Sequence, residues 1–218
     1  MCVASVASIL LQQRPGDAQV FIADFTLADS EWAERAEEIE QYFPHQIKVL
    51  SRQREVADVV KTIADEVRRR SDAPPERISI YLVIQGMHRV RVLRGDDESF
   101  AYEEGRSTPS EHFATILRDG PEVGVHVISW CDTYSNANRV ADRRMMTQFG
   151  LRAGGAMSAD DSMNFFDDAA ASRIDKPHRI IFFEEERPGQ LEKFRPYSMP
   201  PHDWLEAAGR KLRARCAP

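Results

Sequence analysis

Cysteine is scarce. Cys2, Cys131 and Cys216 are the only three in the chain, scattered and without CxxC spacing. An odd, dispersed set argues against a disulfide framework or a cysteine-built structural zinc site, and makes reduced thiols the default. The histidines, His45, His88, His112, His126, His178 and His202, show neither HxxxH nor HExxH spacing, so at this level the expected metal complement is none. Long apolar runs are also missing. No stretch approaches the roughly 20 residues that cross a bilayer, and Cys-Val-Ala-Ser stands where a secretory leader carries its basic start. The expectation is a cytoplasmic chain with no membrane segment. Basic charge is not in excess either: 29 Lys and Arg face 35 Asp and Glu. The basic residues fall in short groups such as Arg68-Arg69-Arg70, so bulk charge gives no push toward nucleic acid.

With 42% of its 218 residues apolar, the chain is long enough for one sizeable core and short for two, and residues 1–218 read as a single domain. Val3, Val6, Ala7, Leu10 and Leu11 repeat at helical spacing up to Arg14-Pro15-Gly16. The chain thus opens inside a helix with no capping residue before it, the mark of an N-terminally truncated domain. Ala18 to Ala23 is a short β-branched run that reads as a buried strand. Ser30 or Asp29 is placed to cap a helix carrying Trp32, Ala36, Ile39 and Phe43 on one face, and Gln46 to Leu50 is a brief strand. Val56, Val60, Ile63 and Val67 mark a longer helix, whose terminal arginine triplet suits the helix dipole.

Ile78 to Ile84 is the most apolar strand and belongs at the sheet centre, whereas the acidic stretch Gly95 to Ser110 reads as a long flexible loop. A helix around Phe113, Ile116 and Leu117 leads to the strand Gly124 to Trp130. Beyond it come a polar linker over 135–138, a basic helix over 139–146 and a strand within 149–157. A short helix capped by Ser158 or Asp160 follows. Arg179 to Phe183 and Leu191 to Phe194 form a hairpin through Pro188-Gly189, and a basic helix spans 201–215. Strands alternating with helices imply an α/β fold: a mainly parallel sheet covered on both faces, with an antiparallel hairpin at its edge.

Three stretches, taken together, resemble the FtsK/SpoIIIE/HerA-type motor ATPases. Ala18 to Phe25 (AQVFIADF) is similar to the strand that follows the phosphate-loop helix in that family. Ile78 to Val92 (ISIYLVIQGMHRVRV) stands where its Walker B strand runs. Phe113 to Tyr197 carries ILRDGPEVGVHVISWCDT, TQFGLRAGGAMSADDSMNFFD and HRIIFFEEERPGQLEKFRPY in the family's order. The resemblance spans nearly the whole chain. It implies a RecA-like three-layer sandwich, working in homo-oligomeric rings with ATP and magnesium to move DNA or, in secretion relatives, to export protein.

The residues that would perform that chemistry depart from the pattern. No GxxxxGK[ST] string occurs in the sequence, so the backbone N–H cradle, lysine and hydroxyl of a phosphate loop are not supplied. The helix at 1–11 matches the one that would follow such a loop, with the first strand missing. At the end of the central strand the family's two acidic residues are replaced by Gln85 and Gly86. Glutamine brings no charge to a metal-bound water, and glycine offers no base. The expectation is a partial motor domain that does not hydrolyse ATP alone and binds neither ATP nor magnesium tightly, or else a non-catalytic ring or scaffold module.

Asp24 and Asp132 each follow a strand, where they are placed to compensate as acids at the sheet's carboxyl edge. Asp132 stands near the family's γ-phosphate sensor, with a capped turn as its plainer role. Arg152 and Arg179 match arginines that face a neighbour's nucleotide in a ring, with structural ion pairing as the alternative. Arg89, Arg91 and Arg94 are the DNA-contact candidates, against a reading as helix-end charges. A thiol enzyme built on Cys131 and His126 fails locally, because five residues along a strand put the two side chains on opposite faces.

Overall fold

The computed structural model describes residues 2–30, 33–74, 76–95, 107–187 and 189–216. Four strands, β1 (Ala18–Asp24), β2 (Gln46–Leu50), β3 (Ser79–Gln85) and β4 (Val125–Trp130), form a wholly parallel sheet in the order β2-β1-β3-β4. Parallel neighbours need crossovers, and the helices that make them cover both faces. On one face lie α1 (Cys2–Gln12), α2 (Arg35–Tyr42) and α8 (His202–Cys216), packed through Leu10, Ile39 and Leu205 onto Val20, Ile22 and Val83. On the other lie α3 (Gln53–Ser71) and α4 (Pro109–Asp119), which bring Val60, Ile63, Phe113 and Ile116 onto Leu82 and Ile84. The result is the expected three-layer α/β sandwich of RecA-like type, with the Ile84 strand at its centre.

The antiparallel hairpin is present but placed differently. β6 (Ile180–Glu184) pairs with β7 (Leu191–Phe194), and β5 (Leu151–Gly154) joins them in a three-stranded sheet of their own rather than at the edge of the parallel one. This second sheet has its own small core. Phe166 of α7 (Ala159–Phe166) packs there with Ala171, Ile181 and Phe183. Gly189 at the hairpin has φ 77, a left-handed conformation that glycine adopts freely.

Several local expectations need correction. Neither Asp29 nor Ser30 caps α2, because Ser30 turns back on Leu27 and the cap position is Glu34 at φ 65. Trp32 lies outside the described residues. Most of the expected acidic loop, residues 96–106, lies outside them as well, and its far end is helical. Thr108 caps α4 by accepting from the Glu111 amide while Glu111 reaches back to the Thr108 amide; that reciprocal box starts the helix within the stretch read as loop. The polar linker after β4 is also a helix, α5 (Tyr134–Asn138), begun by Thr133 accepting from the Asn136 amide. The basic helix expected next is the single turn α6 (Arg143–Met146). Ser158 caps α7 as expected.

The Arg68-Arg69-Arg70 triplet closes α3 and divides by burial. Arg70 is buried and donates to Glu66, to the carbonyl of Ile78 and to the carbonyl of Val123. It joins the helix end to the approaches of β3 and β4. Arg69 pairs outward with Glu66 and Glu76. Among the described residues no helix is long and apolar enough to cross a membrane.

Candidate functional site

The parallel register sets Asp24, Gln85 and Trp130 in one row at the carboxyl ends of β1, β3 and β4. The loops that leave this edge carry the residues of interest, as α/β sheets generally arrange. Gln85 is 4% exposed, and its Nε2 donates to Oγ1 of Thr26 at 2.8 Å. Its carbonyl accepts from the Phe25 amide. Asp24 accepts from the Thr26 amide at 2.8 Å through Oδ1, an Asx-type turn that shapes the same loop. Gly86 has φ 77, and a Cβ there would lie in ordinary contact with Phe25, so backbone conformation rather than space selects glycine.

Two of the three arginines after β3 hold backbone. Arg89 donates to the Phe25 carbonyl at 3.0 Å and Arg94 to the His88 carbonyl at 2.5 Å; Arg91 alone of the three is exposed. Among the described residues Arg152 has no ion pair. It is 9% exposed, donates to the Phe165 carbonyl at 2.9 Å and lies over the Phe183 ring at 4.3 Å, with its Nε unpartnered. Arg179 precedes β6 on the surface.

Asp132 follows β4 and begins the turn into α5. Its carboxylate accepts from the Thr133 amide at 2.8 Å and from Asn136 Nδ2 at 3.0 and 3.1 Å. Burial pushes this carboxyl up, but the bonds from Asn136 and Thr133 and the neighbouring His88 together hold it below the ordinary aspartate value. The capped turn and the edge position coexist in one residue.

His88 comes to the same point from the loop after β3. Its Nδ1 lies 3.6 Å from Sγ of Cys131 and 3.4 Å from Oδ1 of Asp132, and the thiol is 3.5 Å from that oxygen. Burial lowers the His88 imidazole, with Asp132 pulling the other way and Arg89 and Arg94 reinforcing the fall. Burial raises the Cys131 thiol, and the Asp132 charge raises it further. The resting forms at neutral pH are therefore a neutral imidazole and a protonated thiol. A thiolate–imidazolium nucleophile is not preformed here.

His126 plays no part in this cluster. It stacks on Tyr81 at 5.4 Å between ring centroids, on the opposite face of β4 as strand alternation requires. The residue missed from sequence is His88, 43 positions before Cys131. A signal was present: β3 and β4 are adjacent and parallel with Gln85 opposite Trp130, so residues just beyond them share one edge.

Beside the cluster a cavity of about 510 Å³ separates the end of β4 from the second sheet. Cys131, Asp132 and Thr133 form one wall, Arg152 and Gly154 the other, and Phe165 lies among the apolar lining. A polar rim around an apolar body at a strand-end crevice suits a small ligand.

No family model matches the chain, and no curated protein matches it by sequence. Among solved structures it is similar to the pCW3 conjugation coupling protein TcpA, in its monomer form with ATPγS, at a TM-score of 0.69 and 13% identity. The match covers 99% of this chain and 61% of that one, so the chain spans about three-fifths of the length of the protein it resembles. The likeness is one of fold.

Proposed function

We propose that this chain is the α/β core of a DNA-translocase-type motor of the FtsK/SpoIIIE/HerA kind, and that it does not hydrolyse ATP on its own. The observation that carries the reading is the end of β3. In a fold similar to that of a coupling protein solved with ATPγS, the position where a motor needs carboxylates holds Gln85, buried and bonded to Thr26, followed by the bare backbone of Gly86.

Magnesium fits this position poorly. A hard cation wants charged oxygens and room for its waters, whereas the Gln85 amide is neutral and 4% exposed. The nearest strand-end carboxylate, Asp24, already accepts from the Thr26 amide. No catalytic step is therefore assigned through a bound Mg-ATP. Of the two arginines matched to ring-facing positions, Arg152 is buried against Phe165 and Phe183, which leaves Arg179 as the inter-subunit candidate. Arg91 is the exposed residue of the DNA-contact set, and homo-oligomeric assembly belongs to the same proposal.

A second reading is favoured by the same buried amide: a non-catalytic ring or scaffold module, in which Gln85 serves the fold and the motor architecture is kept for its surfaces. Titration calorimetry of this chain with ATPγS and magnesium, paired with a phosphate-release assay using ATP, tests the main reading. The expected result is no phosphate release and no tight magnesium-dependent binding. Sustained turnover would overturn it. Sedimentation with and without duplex DNA separates the two readings, since DNA association favours a motor remnant and DNA-independent assembly favours the scaffold.

A further inference from the structure

We infer that His88, Cys131 and Asp132 form a binding site for a borderline-soft divalent metal of the zinc type, with a fourth position open to the neighbouring cavity. The inference stands on geometry and donor chemistry and is independent of the motor reading.

The three ligand atoms, His88 Nδ1, Cys131 Sγ and an Asp132 carboxylate oxygen, all lie within 4.8 Å of one another. Their separations are 3.6 Å for N to S, 3.4 Å for N to O and 3.5 Å for S to O. A tetrahedral zinc ion with Zn–S near 2.3 Å and Zn–N and Zn–O near 2.0–2.1 Å has ligand-to-ligand edges of about 3.6, 3.4 and 3.6 Å. The cluster thus already has the dimensions of one face of that tetrahedron, and little rearrangement is needed for an ion to sit against it.

The donor set decides the class of metal. Imidazole nitrogen and sulfur disfavour magnesium and calcium, which take oxygen ligands, and suit zinc and its neighbours in the first transition row. The orientation of the carboxylate is secured from outside the cluster. Asn136 Nδ2 donates to both Asp132 oxygens, and the Thr133 amide donates to Oδ1, the kind of outer support that ligating carboxylates require. Three protein ligands with one vacant direction form the open type of zinc site rather than the closed structural type. Two of the three ligand residues, Cys131 and Asp132, line the neighbouring cavity, from which a fourth ligand can approach.

Binding forms an S–metal bond and breaks the S–H bond. The thiol proton leaves to solvent, so each ion bound releases about one proton. The neutral imidazole supplies its lone pair without losing a proton.

Cobalt(II) and zinc(II) are the probes. The full chain, reduced and stripped with chelator, is titrated with cobalt while its absorption is followed, and cobalt is then displaced with zinc. The expected result is one equivalent bound, a near-ultraviolet thiolate-to-cobalt band and the visible bands of a tetrahedral ion. Cys131→Ser is expected to abolish the thiolate band, and His88→Gln to weaken binding by at least about tenfold. Asn136→Ala, which removes outer support alone, is expected to weaken it by about tenfold. His126→Gln, on the far face of β4, should bind as the parent does. Absence of the thiolate band in the parent chain sinks the inference whatever the variants do. So does a band that survives in Cys131→Ser, which would assign the metal to Cys2 or Cys216, or unchanged affinity in His88→Gln. Circular dichroism of each variant accompanies the titration, and the test in the parent chain stands if a variant fails to fold.

Discussion

Gln85 at the end of β3 donates its amide to the hydroxyl of Thr26 at 2.8 Å, joining the central strand to the loop that leaves β1. The bond gives a structural role to a buried polar residue at the carboxyl edge of the sheet. Gln85→Ala removes the bond and opens a small void, with an expected loss of about 1–2 kcal/mol in denaturant unfolding. Thr26→Val leaves the buried amide without its partner at similar cost. The double variant is expected to lose less than the sum, because the second change removes nothing further from the pair. Strict additivity would show that the bond does not contribute.

Arg68 and Arg70 lie two residues apart in one basic triplet, and the structure separates them. Arg70 has a 4% exposed side chain and polar partners within α3 and beyond it, in Glu66, Glu76 and the carbonyls of Ile78 and Val123, whereas Arg68 is 47% exposed and pairs with Asp65. Arg70→Ala is expected to cost about 3 kcal/mol, since it strands the Ile78 and Val123 carbonyls. Arg68→Ala should cost about 0.5 kcal/mol or less. Thermal unfolding of both variants checks the contrast, and equal effects would contradict it.

Acid should unfold the protein in two stages. Burial lowers His45, His88, His112 and His126 below their ordinary 6.5. The unfolded chain therefore takes up protons first, and stability falls as pH drops below about 6.5. Glu66 adds the second stage. Hydrogen bonds from Arg69 and Arg70 draw it from 4.5 to about 2, against its burial. Its contribution is complete above about pH 4.5 and is lost as pH falls toward about 2. In urea titrations across pH, Glu66→Gln is expected to flatten the lower stage and leave the histidine stage in place. A variant with the parent's slope below pH 4.5 would refute the assignment.

Gly209 marks where α8 crosses α2. A Cβ at this position would lie 2.2 Å from the Tyr42 carbonyl oxygen and 2.8 Å from its carbon, both backbone atoms that cannot swing aside. Alanine normally favours a helix by up to about 1 kcal/mol over glycine, but overpacking is expected to outweigh it, leaving Gly209→Ala destabilised by about 1–3 kcal/mol. Gly16→Ala, with nothing within 4 Å of the added carbon, is the matched control. It should leave the melting temperature nearly unchanged.

Much of the architecture was legible in the order of residues. The Ile78 to Ile84 run announced the central strand, and the spacing of Val56, Val60, Ile63 and Val67 announced α3, because burial on one face imposes a period that composition cannot hide. What escaped was the short helix α5 and the start of α4, both of which rest on capping. α5 begins on Thr133, and α4 starts at the Thr108–Glu111 box inside the stretch read as loop, through hydrogen bonds too local to alter a hydrophobic pattern. The placing of β5, β6 and β7 in a separate sheet also escaped, since pairing partners are chosen by tertiary packing and not by the strands' own sequences.

The candidate site divides along the same line. The neutral Gln85 and the side-chain-free Gly86 are covalent facts, so that the end of β3 carries no carboxylate follows from residue identity alone. The meeting of His88 with Cys131 and Asp132 was decided by the fold. Two parallel strands in register bring their carboxyl ends together, while the crossover that parallel pairing demands holds the residues 43 positions apart in the chain. Spacing rules see only ligands that share a local element, so a cluster assembled across a crossover becomes visible when the sheet is formed.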